Sequence, residues 1–140
     1  MISENKQHSC CFFGHRKIDE TPELTQKLTQ AVETLITQKN VTDFYFGSKS
    51  EFNSLCLKTV TKLKEKYPHI KRIYVRSACP NISDSYKDYL LESYEETYFL
   101  KKMQGAGKAA YVERNQEMIN RSYFCVVYYD KNYAPPRRKN

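Results

Sequence analysis

The sequence predicts an α/β protein: one domain with a parallel sheet of about five strands and helices on both faces. Short apolar runs alternate along the chain with longer segments of helical periodicity. Such alternation is typical of right-handed βαβ units, which build a parallel sheet covered by helices on both faces. A chain of 140 residues is long enough for one hydrophobic core and too short for two.

The first half of the chain contains two strand–glycine–helix units. The two predicted strands end at Gly14 and Gly47, and the first helix begins at a proline that follows Thr21. In chain order, the predicted elements are Ser9–Phe13, Pro22–Gln38, Asp43–Phe46 and a helical stripe from Phe52 to about Lys66.

The second half continues the alternation with less regular spacing. The predicted elements are a strand at Ile70–Val75, a short helix near Tyr86–Leu91, a strand at Thr97–Leu100, a helix at Ala109–Asn120 and a strand at Tyr123–Tyr129. Gln104–Gly107 is predicted to be a flexible loop. Tyr123–Tyr129 is the most apolar segment, which is typical of a central strand buried on both faces.

The charge is concentrated in the second half. The net charge is +7, and residues 58–140 carry 17 basic and 9 acidic side chains. A basic field attracts nucleic acid, free nucleotides and anionic membranes alike, so charge does not choose among them. We predict a cytoplasmic protein without a membrane partner, because the sequence has neither a signal-peptide pattern nor an apolar run of membrane-spanning length.

The five cysteines are predicted to be free thiols. The sequence has no CxxC pair, so structural zinc is not expected. Three of the cysteines lie in apolar, strand-like runs, where cysteine acts as a small hydrophobe. We therefore predict that Cys11 and Cys125 are core residues on neighbouring strands and that both resist alkylation.

The residues that follow the predicted strands are the candidates for a binding site. Parallel sheets bind ligands beyond the carboxyl ends of their strands. There, Gly14–His15–Arg16 offers backbone N–H groups and a guanidinium fork suited to phosphate or carboxylate. The alternative is a surface turn with a solvated arginine.

Three other segments each allow two interpretations. The segment 47–53 either cradles a nucleotide's ribose or phosphate, or Ser50 simply caps the following helix. Glu113–Arg114–Asn115 either faces a ligand or forms a solvated charged face. A basic tail, 135–140, follows the predicted domain 1–134 and either grips a phosphate backbone or is a solvated end.

Four segments taken together are similar to the SLOG superfamily, and specifically to its YpsA-like branch. They cover nearly the whole chain, in order. The first is Cys10–Arg16; the second is Phe44–Gly47 together with the helix start Glu51–Cys56; the third is Lys64–Lys71; the fourth is Glu113–Ile119 followed by Ser122–Cys125. The resemblance implies a Rossmann-like nucleotide-binding fold. Relatives include the lonely-guy phosphoribohydrolases, the DNA-processing protein DprA, and bacterial immunity sensors of ADP-ribose-derived signals.

The resemblance also implies which residues face the ligand. The loops after the first two strands carry over to its two ligand loops, and Arg114 with Asn115 carries over to the position facing the ribose phosphate. Together with Arg76 at the end of the third strand, the predicted ligand-binding residues are Gly14, His15, Arg16, Gly47, Ser48, Lys49, Phe52, Asn53, Arg76, Arg114 and Asn115. Arg16 and Arg114 are predicted to converge on one anion.

Two departures from the family pattern set the expected function. Gly47–Ser48 replaces Gly-Gly or Gly-Asp, and Phe52–Asn53 replaces Phe-Asp. After the last strand, residues 130–136 replace the phosphoribohydrolases' Gly-Gly-x-Gly-Thr-x-x-Glu, which contains the catalytic glutamate. N-glycoside hydrolysis would lack its main acid–base group.

We therefore expect a protein of bacterial or phage type that binds a nucleotide-derived small molecule, ADP-ribose-like or a cyclic nucleotide signal, as a sensor or sequestering protein. No catalytic residue, metal or cofactor is expected, and a homo-oligomer stays open. One alternative is an N-glycosidase that acts on nucleoside monophosphates. DNA binding of the DprA kind is less favoured.

Overall fold

Strands and helices alternate throughout the computed structural model, which describes residues 4–47, 49–77, 82–99 and 109–132. The strands are β1 (Ser9–Phe13), β2 (Asp43–Phe46), β3 (Lys71–Arg76), β4 (Glu96–Phe99) and β5 (Phe124–Val127). The helices are α1 (Glu4–Gln7), α2 (Pro22–Gln38), α3 (Glu51–Lys66), α4 (Asp84–Leu91) and α5 (Ala109–Arg121). The short α1 was not predicted from the sequence.

All five strands form one parallel sheet in the order β4-β3-β2-β1-β5. The chain builds outward from β1 to β4 and then returns to place β5 on the other side of β1. The strand order therefore reverses between β1 and β5, where open α/β sheets have their ligand crevice. This topology confirms the predicted single α/β domain, which is Rossmann-like.

Helices cover both faces of the sheet, as predicted. Successive strand residues point to opposite faces. Phe12, Phe44 and Phe46 pack in one core cluster with the buried faces of α2 and α3. Cys11 and Tyr45 pack on the opposite face with side chains of α5.

Side-chain caps explain where the two long helices begin. The Thr21 Oγ1 accepts a hydrogen bond from the Leu24 N–H (3.1 Å), and Pro22 follows in the first helical turn. The Ser50 Oγ accepts from the Asn53 N–H (3.1 Å). The cap that the sequence analysis proposed for Ser50 is therefore present.

The prediction that the last strand is central and buried on both faces is wrong. β5 lies at the edge of the sheet and pairs with β1. Its helix, α5, packs chiefly against β1 and β3. Cys125 and Val127 are therefore exposed, while Cys11 on the neighbouring strand is fully buried.

Several sequence predictions fall on residues outside the described ranges. They are Ser48, Cys79, the loop Gln104–Gly107 and the tail 135–140. Within the described ranges, no helix has both the length and the apolar character needed to cross a membrane.

Candidate functional site at the carboxyl ends of the strands

The loops that follow β1 and β2 and the end of β3 meet at one edge of the sheet, which we call the carboxyl edge. These three strands are parallel neighbours, so Gly14, Gly47 and Ser77 lie in a row beyond their ends. The Glu51 N–H donates to the Arg16 carbonyl (2.8 Å), which ties the loop after β1 to the start of α3. The structure thus brings the predicted loops together.

Arg114 of α5 occupies the centre of this edge. Its Nη1 donates to the Gly47 carbonyl (2.7 Å) and to the Ser77 Oγ (3.3 Å). Its Nη2 and Nε lie 3.2 and 3.4 Å from the Asn115 Oδ1. The guanidinium carbon lies 5.3 Å from the centre of the Tyr111 ring. Arg114 thereby connects the ends of β2 and β3 to α5.

The contacts of Arg114 satisfy its hydrogen bonds without neutralising its charge. The residue is 6% exposed, and burial lowers the pKa of its guanidinium, against the influence of Tyr74 and Tyr111. Arginine stays charged even when buried. Among the described residues, no carboxylate forms an ion pair with it, and its acceptors are a carbonyl, a hydroxyl and an amide oxygen. An anion at this edge would supply the missing negative charge.

The two glycines at the strand ends allow close packing. A Cβ on Gly47 would lie 2.7 Å from the Arg114 Cδ and 3.0 Å from the Val75 carbonyl oxygen. A Cβ on Gly14 would lie 2.4 Å from atoms of the Phe52 ring. Both positions therefore require glycine because side chains pass directly over them. The sequence predicts both glycines to lie in ligand loops, and these packing contacts were not predicted.

His15 connects the ends of β1 and β5. Its Nε2 accepts a hydrogen bond from the Asp130 N–H (2.8 Å), and its ring contacts Tyr128 and Tyr129, with centroids 5.8 and 5.7 Å away. The hydrogen bond assigns the proton of a neutral His15 ring to Nδ1. His15 therefore stands at the point where the strand order reverses.

A cavity of about 390 Å³ opens beside His15. Its lining includes the carboxylates of Asp19, Glu51 and Asp130 together with Lys17. The Glu51 Oε1 accepts from the Ile18 N–H (3.1 Å), and the Asp130 Oδ1 accepts from the Asn132 N–H (2.9 Å). Carboxylate oxygens are acceptors of hydrogen bonds, so this end of the carboxyl edge suits a ligand rich in hydroxyl donors.

The other predicted site residues occupy different environments. Arg16 and Lys49 are exposed, and neither side chain forms a hydrogen bond or ion pair within the described part of the chain. Arg76 is half-buried at the end of β3. The convergence of Arg16 and Arg114 on one anion stays a prediction.

Phe52 and Asn53 of α3 contact the end of β1 and the loop that follows it. Phe52 is 1% exposed and stacks on Tyr128, with ring centroids 5.6 Å apart. Asn53 is buried, and its Nδ2 donates to the Phe12 carbonyl at the end of β1 (3.4 Å). Both side chains hold the first loop against α3.

Neither the burial of Arg114 nor its contact with Tyr111 was predicted from the sequence. The solvated-face interpretation of Glu113–Asn115 is wrong for Arg114. A signal was present, because Ala110, Arg114 and Met118 recur at four-residue spacing on one face of α5, and all three are buried. The small and apolar residues on this face of α5 indicate that Arg114 is buried.

No protein-family model matches the chain, and no curated protein shows significant similarity to it. Within the described ranges, no group of three or more His, Cys, Asp or Glu side chains is arranged to hold a metal ion.

Proposed function

We propose that the chain binds a phosphate-bearing, nucleotide-derived small molecule at the carboxyl edge and acts as a sensor or sequestering protein. The observation that carries the proposal is Arg114, a buried guanidinium whose partners among the described residues are all neutral. Burying a charge without a counter-charge is costly. A phosphate group at the ends of β2 and β3 would offset that cost.

The distribution of charge along the edge favours a nucleotide over a simple anion. Arg114 and Lys49 lie at the β2 end, whereas Asp19, Glu51 and Asp130 surround the cavity at the β1 end. Phosphate suits the first zone, and ribose hydroxyls can donate to the carboxylates of the second. A cavity of about 390 Å³ falls within the usual size of small-molecule sites. ADP-ribose and cyclic nucleotides combine these two chemical features.

Binding is favoured over hydrolysis by the turn after β5. The backbone N–H groups of Asp130 and Asn132 are already donated to His15 and to the Asp130 side chain. A phosphate-holding loop needs free backbone N–H groups that point at the ligand. Within the described part of this turn, residues 130–132, these two N–H groups are therefore not available to a phosphate.

The direct test is release of a co-purified ligand. The purified full chain is heated, and the supernatant is analysed by mass spectrometry for nucleotide-derived molecules. We expect one such molecule from the wild type, less from Arg114→Gln, and the wild-type amount from Lys71→Gln, a charge change at the opposite end of β3. Equal amounts from both variants would contradict the proposed role of Arg114.

A further inference from the structure

Cys11 and Cys125 occupy directly paired positions on neighbouring strands. They are register partners in the parallel pairing of β1 with β5. Neighbouring strands lie about 4.8 Å apart, within the range of roughly 4.4 to 6.8 Å between the Cα atoms of disulfide-bonded cysteines. Paired residues point to the same face of a sheet, so the two thiols meet.

The two thiols differ in their access to solvent. Cys11 is fully buried beneath α5. Cys125, on the edge strand β5, is exposed. A small oxidant can therefore reach Cys125 directly, and the sulfur nearest to the oxidised product belongs to a protected cysteine.

The surroundings of the thiols favour reaction at Cys125. A hydrogen bond from the Cys11 thiol lowers the pKa of Cys125, and partial burial opposes this effect. Burial raises the pKa of Cys10 and of Cys56. The Cys10 thiol also donates to the Cys11 carbonyl (3.5 Å). The same hydrogen bond, together with burial, raises the pKa of Cys11. The thiolate, which is the reactive form, is therefore favoured at Cys125 over the other described cysteines.

We propose that Cys125 is an oxidation site and that Cys11 is its resolving cysteine, so that a hydroperoxide converts the pair into a disulfide between β1 and β5. The Cys125 thiolate attacks one peroxide oxygen and breaks the O–O bond; the leaving alkoxide or hydroxide takes a proton. Cys125 is now a sulfenic acid. The Cys11 sulfur attacks the Cys125 sulfur, and the sulfenic hydroxyl leaves with the Cys11 proton as water. Two electrons pass from the two thiols to one peroxide.

The disulfide would lie beside the ligand crevice. β1 leads into His15, and the Tyr128 N–H beyond β5 donates to the Phe13 carbonyl (3.0 Å). Oxidation would therefore fix the two strands whose ends form the point of strand-order reversal. This inference is independent of the proposed function, because it rests on the pairing of Cys11 with Cys125 and on the exposure of Cys125.

The test treats the reduced full chain with one equivalent of hydrogen peroxide and maps the products by non-reducing digestion and mass spectrometry. The expected product has lost two hydrogen atoms and joins the peptide containing Cys11 to the peptide containing Cys125. A dithiol reductant should reverse it. Irreversible oxidation of Cys125 without a crosslink, or a crosslink through Cys56 or Cys79, would overturn the proposal.

Cys10 offers a matched control. It neighbours Cys11 in sequence and is equally buried, but it packs on the opposite face of the sheet. Cys10→Ser should keep the crosslink. Cys11→Ser should lose it and accumulate a Cys125 sulfenic acid that dimedone captures. A crosslink that survives in Cys11→Ser and disappears in Cys10→Ser would make Cys10 the resolving cysteine and overturn the proposal.

The Cys125→Ser variant provides a test that does not require replacing a buried residue. Cys125→Ser changes an exposed side chain, and its circular dichroism spectrum should match that of the wild type. In this variant, peroxide should leave Cys10, Cys11 and Cys56 reduced. Loss of these three thiols at the wild-type rate would show that Cys125 is not the site of attack.

Discussion

Arginines at the two ends of the sheet have different hydrogen-bond partners. At the amino end, Arg72 forms a bidentate pair with Glu95, with Nη2 2.7 Å from Oε2 and Nε 3.1 Å from Oε1. Arg121 likewise donates to the Glu117 Oε2 (2.9 Å). At the carboxyl edge, Arg114 makes a similar number of hydrogen bonds, but only to neutral oxygens. Of these three arginines, only Arg72 and Arg121 pair with a carboxylate among the described residues.

This difference shows why cavity size alone does not identify the site. A cavity of about 500 Å³ at the amino ends of β2, β3 and β4 is larger than the one beside His15. Its lining includes Lys71, which lies 3.7 Å from Glu96, and Arg121. These charges already have partners within the chain. The cavity beside His15 is smaller, and Arg114, whose charge the described residues leave unneutralised, lies at the same end of the sheet but outside the lining of that cavity.

Removing the unneutralised charge should have the largest effect. Arg114→Gln should weaken binding of ADP-ribose by about 1.5 to 3 kcal/mol, which is roughly ten- to a hundredfold in affinity. Arg114→Lys keeps the positive charge but loses the paired N–H donors of the guanidinium. Its affinity for ADP-ribose should therefore lie between those of the wild type and Arg114→Gln. Calorimetric titration measures all three, and Arg121→Gln is the control at the opposite end. Equal losses in Arg114→Gln and Arg121→Gln would remove the distinction between the two ends.

Replacing Gly14 or Gly47 with alanine tests the packing at the carboxyl edge. Gly14→Ala should destabilise the fold by about 1 to 3 kcal/mol, because the new Cβ overlaps the Phe52 ring. Gly47→Ala pushes against Arg114 and a backbone carbonyl, so it should lower both stability and ADP-ribose affinity. Denaturant unfolding and calorimetry separate the two effects. Wild-type stability in Gly14→Ala would contradict the described contact.

Breaking the neutralised pair at the amino end should affect stability rather than binding. Burial raises the pKa of Glu95, but hydrogen bonds and charge from Arg72 outweigh burial, so this pKa lies below its ordinary value. A depressed pKa stabilises the fold above the unfolded-state pKa, and this contribution is lost as pH falls through the folded-state value. Glu95→Gln should therefore cost roughly 1 to 2 kcal/mol at neutral pH.

The pH dependence provides the control for Glu95→Gln. Its stability difference from the wild type should begin to shrink below about pH 4, where the unfolded-state carboxyl protonates, and should disappear once the folded-state carboxyl protonates as well. Urea unfolding at pH 7 and at pH 3 measures it. A difference that does not change with pH would mean that Glu95 acts through its shape rather than its charge.

The smallest effect is expected at the exposed pair of the amino end. Lys71 and Glu96 are both more than half exposed. Such pairs contribute about 0 to 1 kcal/mol, so Lys71→Gln should change the unfolding free energy by less than that and leave ADP-ribose affinity unchanged. The same titrations and unfolding curves report both quantities. A tenfold loss of affinity would move the binding site to the amino end.

Local sequence signals were sufficient for most of the fold. Apolar periodicity and the cap at Thr21 predicted the bounds of α2 as the structure has them. β1 and β2 also match, since a glycine ends each predicted run. α4 begins at Asp84, earlier than predicted, because the Ser83 Oγ accepts from the Tyr86 N–H (3.2 Å).

Long-range arrangement explains what the sequence analysis missed. The composition of Tyr123–Tyr129 indicates burial, but the return of the chain past β1 places β5 at the edge. Which helix covers which strands is a property of the whole sheet, so the exposure of Cys125 could not be read locally. The burial of Arg114 depends in the same way on Gly47 and Ser77, which are distant in sequence.

The most direct test of the carboxyl-edge site is a titration of the ¹⁵N-labelled full chain with ADP-ribose, followed by amide chemical shifts. We predict perturbations at Gly14, Gly47, Ser77 and Asp130, at the ends of β1, β2, β3 and β5, and unchanged signals at Lys71 near the amino end. Perturbations confined to the lining of the amino-end cavity would contradict the account. So would the absence of any perturbation with both ADP-ribose and AMP at millimolar concentration.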